Sequence, residues 1–185
     1  MSKLKKINQN SSYALNHELR FHKSFNFLKK IIQPTKRILD LGPENPLSIL
    51  IRNNGYEIEN TPDNLDLDLN YKIVKNKNYD VITAFEILEH LVSPFPLLKN
   101  IQAQELIVSV PLKLWFANAY WNENDPFDCH YHEFESRQLE MLLNKANWEI
   151  IKSEKWISPS NKIGFRPLIR KFTPRYYIVY CRRSP

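Results

Sequence analysis

Residues 37–46 read RILDLGPENP, and the fold follows from how that stretch is parsed. Ile38, Leu39 and Leu41 make a short apolar run that carries one carboxylate, Asp40, and breaks at Gly42. Pro46 and the apolar positions after it open a helix, since proline suits a first turn where its missing N–H is not needed. The reading is strand, turn, helix. A strand running straight into a helix leaves unpaired amides and a partial positive charge at the sheet's carboxyl end, which suits an anionic ligand group.

The same unit recurs on either side. The helix from 46 to 54 is closed by Gly55 as a left-handed cap, and 56–61, YEIENT, alternates as a second strand with Glu59 near its carboxyl end. Residues 79–85, YDVITAF, are the richest in β-branched side chains and run into 86–91, EILEHL, as a turn and helix. A short helix around 96–101 precedes ELIVSVP at 105–111, a fully buried strand. Repeated βα units argue for a parallel sheet with helices on both faces. An amphipathic helix over 135–148 follows, with Leu139, Leu142, Leu143 and Ala146 on one face and Ser136 as its cap. Residues 149–157 and 175–182 read as a closing antiparallel hairpin at one sheet edge. At the other end, 13–32 has helical spacing in one or two helices that stop before Pro34. The expected organisation is a single domain over 1–185, with a helical cap at 1–33 and a core at 34–185.

Composition bounds the function. A chain of 185 residues can bury a core without disulfides, and Cys129 and Cys181, far apart and in no CxxC spacing, read as unpaired thiols. No apolar run reaches the roughly 20 residues of a membrane span, and the basic N-terminus lacks the apolar segment of a secretory signal, so the expected compartment is the cytoplasm. The net charge of +6 is spread along the chain, which fits a solvated surface rather than a nucleic-acid track. Its densest cluster, Arg166, Arg170, Lys171, Arg175, Arg182 and Arg183, would suit a phosphate-bearing substrate.

Several residues invite chemistry. Glu59 lies 19 residues after Asp40, close to the spacing at which an acid accepts hydrogen bonds from an adenosine ribose; a plain edge charge is the alternative. If 65–69 is extended, Asp66 and Asp68 share one face and Leu65, Leu67 and Leu69 the other; a calcium loop is a weaker alternative, since the glycine and terminal glutamate of an EF-hand are absent. Residues 112–133 form a loop dense in aromatics, Trp115, Phe116, Tyr120, Trp121, Phe127 and Tyr131, which should overhang the crevice and cover a planar or apolar substrate. His130 and His132, in DCHYHEFE, point to one side if that piece is extended and are the candidate bases, His132 ahead of His130, with structural roles as the alternative. His17 and His22 read as packing or surface residues. Asp125, Asp128, Cys129, His130, His132 and Glu133 are all metal-competent, so a metal-dependent hydrolase built on the Asp128–His132 cluster is a rival reading.

ILDLG, an acid near the end of the next strand, YDVITAFEILEHL, ELIVSVP and HYHEFESRQLEMLLNKANWEI together resemble the class I S-adenosylmethionine-dependent methyltransferases, in the small-molecule branch with an LEH signature. The resemblance spans 37 to about 157. It implies an α/β, Rossmann-like doubly wound sheet of seven strands in the order 3-2-1-4-5-7-6, the last antiparallel, with S-adenosylmethionine across the strands' carboxyl ends and no resident metal. By the same resemblance Asp40, Gly42, Pro43, Glu44 and Asn45 meet the methionine moiety, Glu59 the ribose, Asp66 or Asp68 the adenine, and Phe85 and Glu86 the methionine end. Glu89 and His90 begin the next helix. The acceptor would be a small molecule, anionic or aromatic. An NPPY-like run is replaced by FEIL at 85–88, which points away from methylation of nucleic-acid bases.

One departure bears on this. Where the family has GxGxG, this chain has Gly42-Pro43-Glu44-Asn45-Pro46, and it holds only 3 glycines in all. Glycine permits positive φ and close backbone approach; proline does not. Either Asn45 takes the left-handed conformation with the ligand further out, or cofactor binding is weakened, leaving a methyltransferase-like binding module without turnover. The segment between Glu59 and Tyr79 is also short for the family's usual helix and strand.

Overall fold

The computed structural model describes residues 12–123, 128–158 and 165–184. In chain order the elements are α1 (Ser12–Lys29), β1 (Arg37–Asp40), α2 (Pro46–Asn53), β2 (Glu57–Asn60), β3 (Val81–Phe85), α3 (Pro94–Asn100), β4 (Glu105–Pro111), α4 (Ser136–Lys145), β5 (Trp148–Ile157), α5 (Phe165–Arg170) and β6 (Pro174–Arg183). One sheet takes the order β2-β1-β3-β4-β6-β5. The first four strands are parallel, and β6 runs antiparallel to both β4 and β5.

Alternation along each strand divides the core into two. Leu39, Ile82, Leu106 and Val108 face α3 and α4 with Leu97, Leu139, Leu143 and Trp148. Ile38, Val81, Ile107 and Ile178 face the other way, against Phe25, Phe27 and Leu28 of α1 and Leu47 and Ile51 of α2. Strands covered on both sides must be apolar throughout, which is why β3 and β4 read as continuous runs. Both cysteines are buried and neither is in a disulfide. Among the described residues no helix is long and apolar enough to cross a membrane.

The doubly wound order expected from sequence is present with one strand fewer: the described residues form six strands, not seven. Where the missing edge strand would lie, the chain makes turns and a short 3-10 helix, Lys72–Lys75. Residues 65–69 are not extended either. The Asp66 carbonyl accepts from the Asn70 amide and the Asp66 carboxylate from the Asp68 amide, so the piece is coiled and Leu69 ends up 82% exposed.

EILEHL does not become a helix but a 3-10 turn, Leu88–His90. An α-helix would need the Leu88 and Glu89 carbonyls to accept from the Val92 and Ser93 amides. Those amides instead donate to the two Asp68 oxygens, each at 2.8 Å, and the Glu89 carbonyl accepts from Tyr131 and His132. At α4 the cap is Glu135 rather than Ser136, with the Glu135 amide donating to Gln138 Oε1 at 2.9 Å.

Candidate functional site

The carboxyl ends of β1, β2 and β3 meet around Asp40. This side chain is buried, and its oxygens accept from Thr83 Oγ1 at 2.6 Å, Asn60 Nδ2 at 3.1 Å and, at the limit of hydrogen bonding, Asn45 Nδ2 at 3.5 Å. Burial pushes the carboxyl up to about 7; the hydrogen bonds from Thr83, Asn45 and Asn60 pull it the other way and do not cancel the burial. The following turn places positive φ on Gly42, +105°, while Asn45 is extended at φ −143° and not left-handed. Asn45 therefore acts as the α2 cap, its Oδ1 accepting from the Leu47 and Ser48 amides at 3.0 and 3.1 Å, with Ser48 Oγ accepting from the Asn45 amide. Pro46 at the first helical position completes a cap that needs no second glycine. The bare α-carbon of Gly42 faces Ile87, whose Cδ1 would lie 2.9 Å from an added β-carbon.

Glu59 does not stand at this crest. Register pairs it with Leu39, so it lies on the face away from Asp40, where Arg37 and the Tyr79 hydroxyl hold its carboxylate at 3.3 and 2.6 Å. Asn60 takes the crest position instead. Its Nδ2 bridges Asp40 and the Gly42 and Pro43 carbonyls, and its Oδ1 is buried with no hydrogen-bond partner among the described residues. Asp66 and Asp68 are engaged with backbone amides as described above, and Glu44 pairs with Arg52.

A cavity of about 330 Å³ opens over the ends of β3 and β4, within the range of small-molecule sites. Glu86, just past β3, forms one part of its wall at φ 57°, a backbone conformation that is strained for a side chain of this kind. Ser109 donates to the Glu86 carboxylate at 2.8 Å and Arg20 of α1 pairs with it at 3.3 Å; the two charged side chains are only 18% and 11% exposed, arginine first. Arg20 also donates to His17 Nδ1 at 3.1 Å, and burial followed by the adjacent guanidinium brings His17 down to about 4, so it is neutral at pH 7.

A second part of the wall comes from the LEH turn and the aromatic loop. Glu89, His90 and His130 each offer one ligating atom, all within 4.8 Å of one another. Burial, and after it the charge of Glu86, raises the Glu89 carboxyl well above its ordinary range. Burial, with His90 next, lowers His130. Tyr120 and Asp128, joined by a 2.8 Å hydrogen bond, line the cavity beside them. Arg175 and Tyr176 from the start of β6 close it and continue into a second cavity of about 190 Å³, which Arg170 also lines.

His132 is elsewhere. The chain bends after His130, so the two imidazoles do not point to one side: His132 Nε2 lies 3.2 Å from the Val92 carbonyl and its ring packs on Phe134, in a separate groove. Among the described residues the Asp128–His132 ligand cluster is thus not assembled, and the metal-competent group that forms is Glu89, His90 and His130. Asp125 and Phe127 lie outside the described residues, as does the side chain of Arg166. The basic cluster divides, because β6 carries Arg175 at the cavity and Arg182 and Arg183 at its opposite end, where Arg183 covers Trp148. Asn60, the partner of Asp40, was findable: Ile58 is apolar, so alternation puts Asn60 on the inner face and Glu59 on the outer. Arg20, 66 positions from Glu86, left no signal.

The family described as "Methyltransferase domain" matches residues 13–153. No curated protein matches the chain in sequence. Among solved structures, a protein of Listeria monocytogenes assigned as an S-adenosylmethionine dependent methyltransferase aligns at TM-score 0.57 and 12% identity, covering 91% of this chain and 100% of its own. Magnesium protoporphyrin IX methyltransferase from Synechocystis PCC 6803, solved with S-adenosylhomocysteine, aligns at 0.55 and 12% identity, covering 99% and 90%. Phosphoethanolamine N-methyltransferase 2 of Haemonchus contortus, in complex with phosphomonomethylethanolamine and S-adenosylhomocysteine, aligns at 0.60 and 8% identity, covering 96% and 58%. At these identities the likeness is one of fold.

Proposed function

The chain belongs to the methyltransferase-domain family, and from that premise we propose that it moves the methyl group of S-adenosylmethionine to a small anionic or aromatic acceptor held over β3 and β4. The observation that carries this reading is the Glu86–Arg20 pair. The donor's amino-acid end bears an ammonium beside a carboxylate, and the wall of the cavity offers the opposite charges on side chains 3.3 Å apart and mostly withdrawn from water. Paired charges in such a setting discriminate strongly for a zwitterion of matching spacing.

The other residues fit the same group. Asp40, Gly42 and Asn45 hold the first turn in one conformation, with Pro43 and Glu44 at its outer side. Phe85 and Glu86 flank the methionine end. Asn60, with its buried and unpartnered Oδ1, stands in for Glu59 as the polar group at the end of β2. When bound, the donor supplies a methyl group on a positively charged sulfur, displaced in line by the acceptor. What the chain adds is position and dryness: aligned reactants can gain effective molarities of order 10⁵ M or more. Of the two loop histidines, His130 is the one that meets the acceptor, since His132 opens onto a different groove.

Arg170 and Arg175 around the adjoining cavity favour an acceptor with an anionic group. A nucleic acid is disfavoured because the basic residues of the described part do not gather into a track. With Arg20 supplied from α1, residues 12–33 act as a cap on a core of 34–185 within one domain; the rest of the cap expected over 1–33, residues 1–11, lies outside the described residues. Two buried thiols outside any disulfide suit a reducing compartment, the cytoplasm.

Isothermal calorimetry of the full chain with S-adenosylmethionine and S-adenosylhomocysteine tests the proposal. One site per chain is expected, with Arg20→Ala and Glu86→Gln each weakening it at least 10-fold while circular dichroism stays unchanged. No heat and no thermal shift at millimolar ligand would remove the reading.

A further inference from the structure

Glu89 is a buried carboxylate with an incomplete environment. It is 1% exposed, and its Oε2 has no hydrogen-bond partner among the described residues. Among the described residues the one basic group within ion-pair distance of it is the imidazole of His90, whose Nε2 lies 3.9 Å from Oε1. A buried carboxylate normally has its lone pairs satisfied or coordinates a metal.

The two histidines beside it are already set in orientation. His90 Nδ1 lies 3.1 Å from the Cys129 carbonyl, which can only accept, so Nδ1 carries the proton and Nε2 is left with its lone pair. His130 Nδ1 lies 3.2 Å from the Glu133 carboxylate, which likewise accepts, so its Nε2 is also left bare. Both rings thus have one nitrogen fixed by a carbonyl or carboxylate and the other free to bind, the arrangement in which a second layer of partners orients a metal's ligands. The backbone holds them in place: the Tyr131 and His132 amides donate to the Glu89 carbonyl and the His130 amide to that of Tyr120.

The geometry points to a divalent-cation site formed by Glu89, His90 and His130 on the wall of the main cavity. Two imidazoles and one carboxylate suit a borderline cation of the zinc class rather than calcium or magnesium, which take oxygen ligands. Three protein ligands leave a coordination position open, and here it faces the cavity, beside Tyr120 and Asp128. The ligand class for that position is an oxygen of the bound small molecule, a hydroxyl or phosphate. That last step rests on the reading of the cavity as the acceptor's seat; the cation site itself does not.

The test is a titration of the full chain, stripped with a chelator, with Co²⁺ as the probe and visible absorption as the readout. One equivalent is expected, displaced by one equivalent of Zn²⁺. His130→Gln should weaken binding at least 100-fold and Glu133→Gln about 10-fold through the orientation of His130, whereas His132→Gln should leave it unchanged. Should His130→Gln fail to fold by circular dichroism, Glu133→Gln carries the comparison. Absence of a saturable Co²⁺ spectrum at millimolar metal, or binding equally tight in the His130 and Glu133 variants, overturns the site. No methyl donor is present in the titration, so its outcome is independent of whether the chain binds S-adenosylmethionine.

Discussion

At the level of single residues, Asp40 decides how the turn behaves with pH. Its carboxyl has an ordinary value of 3.8 and is pushed to about 7 by burial. A group raised on folding contributes stability that is intact below the unfolded value and is lost as pH climbs through the folded one. Between about pH 4 and pH 7 the unfolded chain releases this proton while the folded chain keeps it. The shift of about 3 units corresponds to roughly 4 kcal/mol, each unit being about 1.4 kcal/mol. Asp40→Asn removes the titration and also loses hydrogen bonds from Asn60 and Asn45, so it should be the less stable protein at pH 5. Urea denaturation at pH 5 and pH 8 should show that gap narrowing by roughly 2–3 kcal/mol, the part of the total that titrates between those two pH values; a gap that widens with pH would contradict the burial argument. The acid itself was legible in ILDLG. Its partners were only partly so: spacing picked out Glu59, but side chains alternate across a strand, and one position along, Asn60, is the residue that reaches Asp40.

For whole elements, the sequence was clearest where local rules act without competition. The strands at 37–40, 81–85 and 105–111 and the helix opening at Pro46 all sit where apolar runs and proline put them. It failed at EILEHL, whose helical pattern is overruled by the Asp68 side chain and the loop at 131–132, partners far away in sequence. The α2 N-terminus shows how the chain replaces a glycine-rich turn: positive φ is concentrated at Gly42, and Asn45 with Ser48 satisfies the helix's first amides by side chains. Those amides are accordingly occupied by Asn45 Oδ1 rather than offered to a ligand. Asn45→Ala should cost about 1 kcal/mol in thermal or urea unfolding, the usual worth of such a cap. Asn45→Ser should recover most of that loss by restoring a side-chain acceptor for the first amides without setting a second carboxylate against Asp40, measured in the same experiment. Equal stability of the alanine and parent chains would mean the capping box contributes nothing.

Taken as a whole, the sheet formed by the described residues ends one strand early, with β2 at its edge. An open edge offers unpaired amides and carbonyls to a neighbouring chain, and such edges are kept harmless by being short and charged. β2 is 4 residues long, and two of them, Glu57 and Glu59, project carboxylates that share Arg37. Charges at these positions work against edge pairing, a role that the ribose reading of Glu59 did not contain. Replacing both, Glu57→Val with Glu59→Val, raises the strand's β-propensity, strips its charge and leaves Arg37 without its partners. Each surface ion pair is worth little for stability, roughly 0–1 kcal/mol, so the folded state should persist by circular dichroism. Light scattering across a concentration series should instead show the double variant self-associating beyond the parent chain, more strongly as salt screens the remaining charges. If the variant scatters as the parent does at every concentration, the edge is protected by the turns at 61–80 and not by its acids.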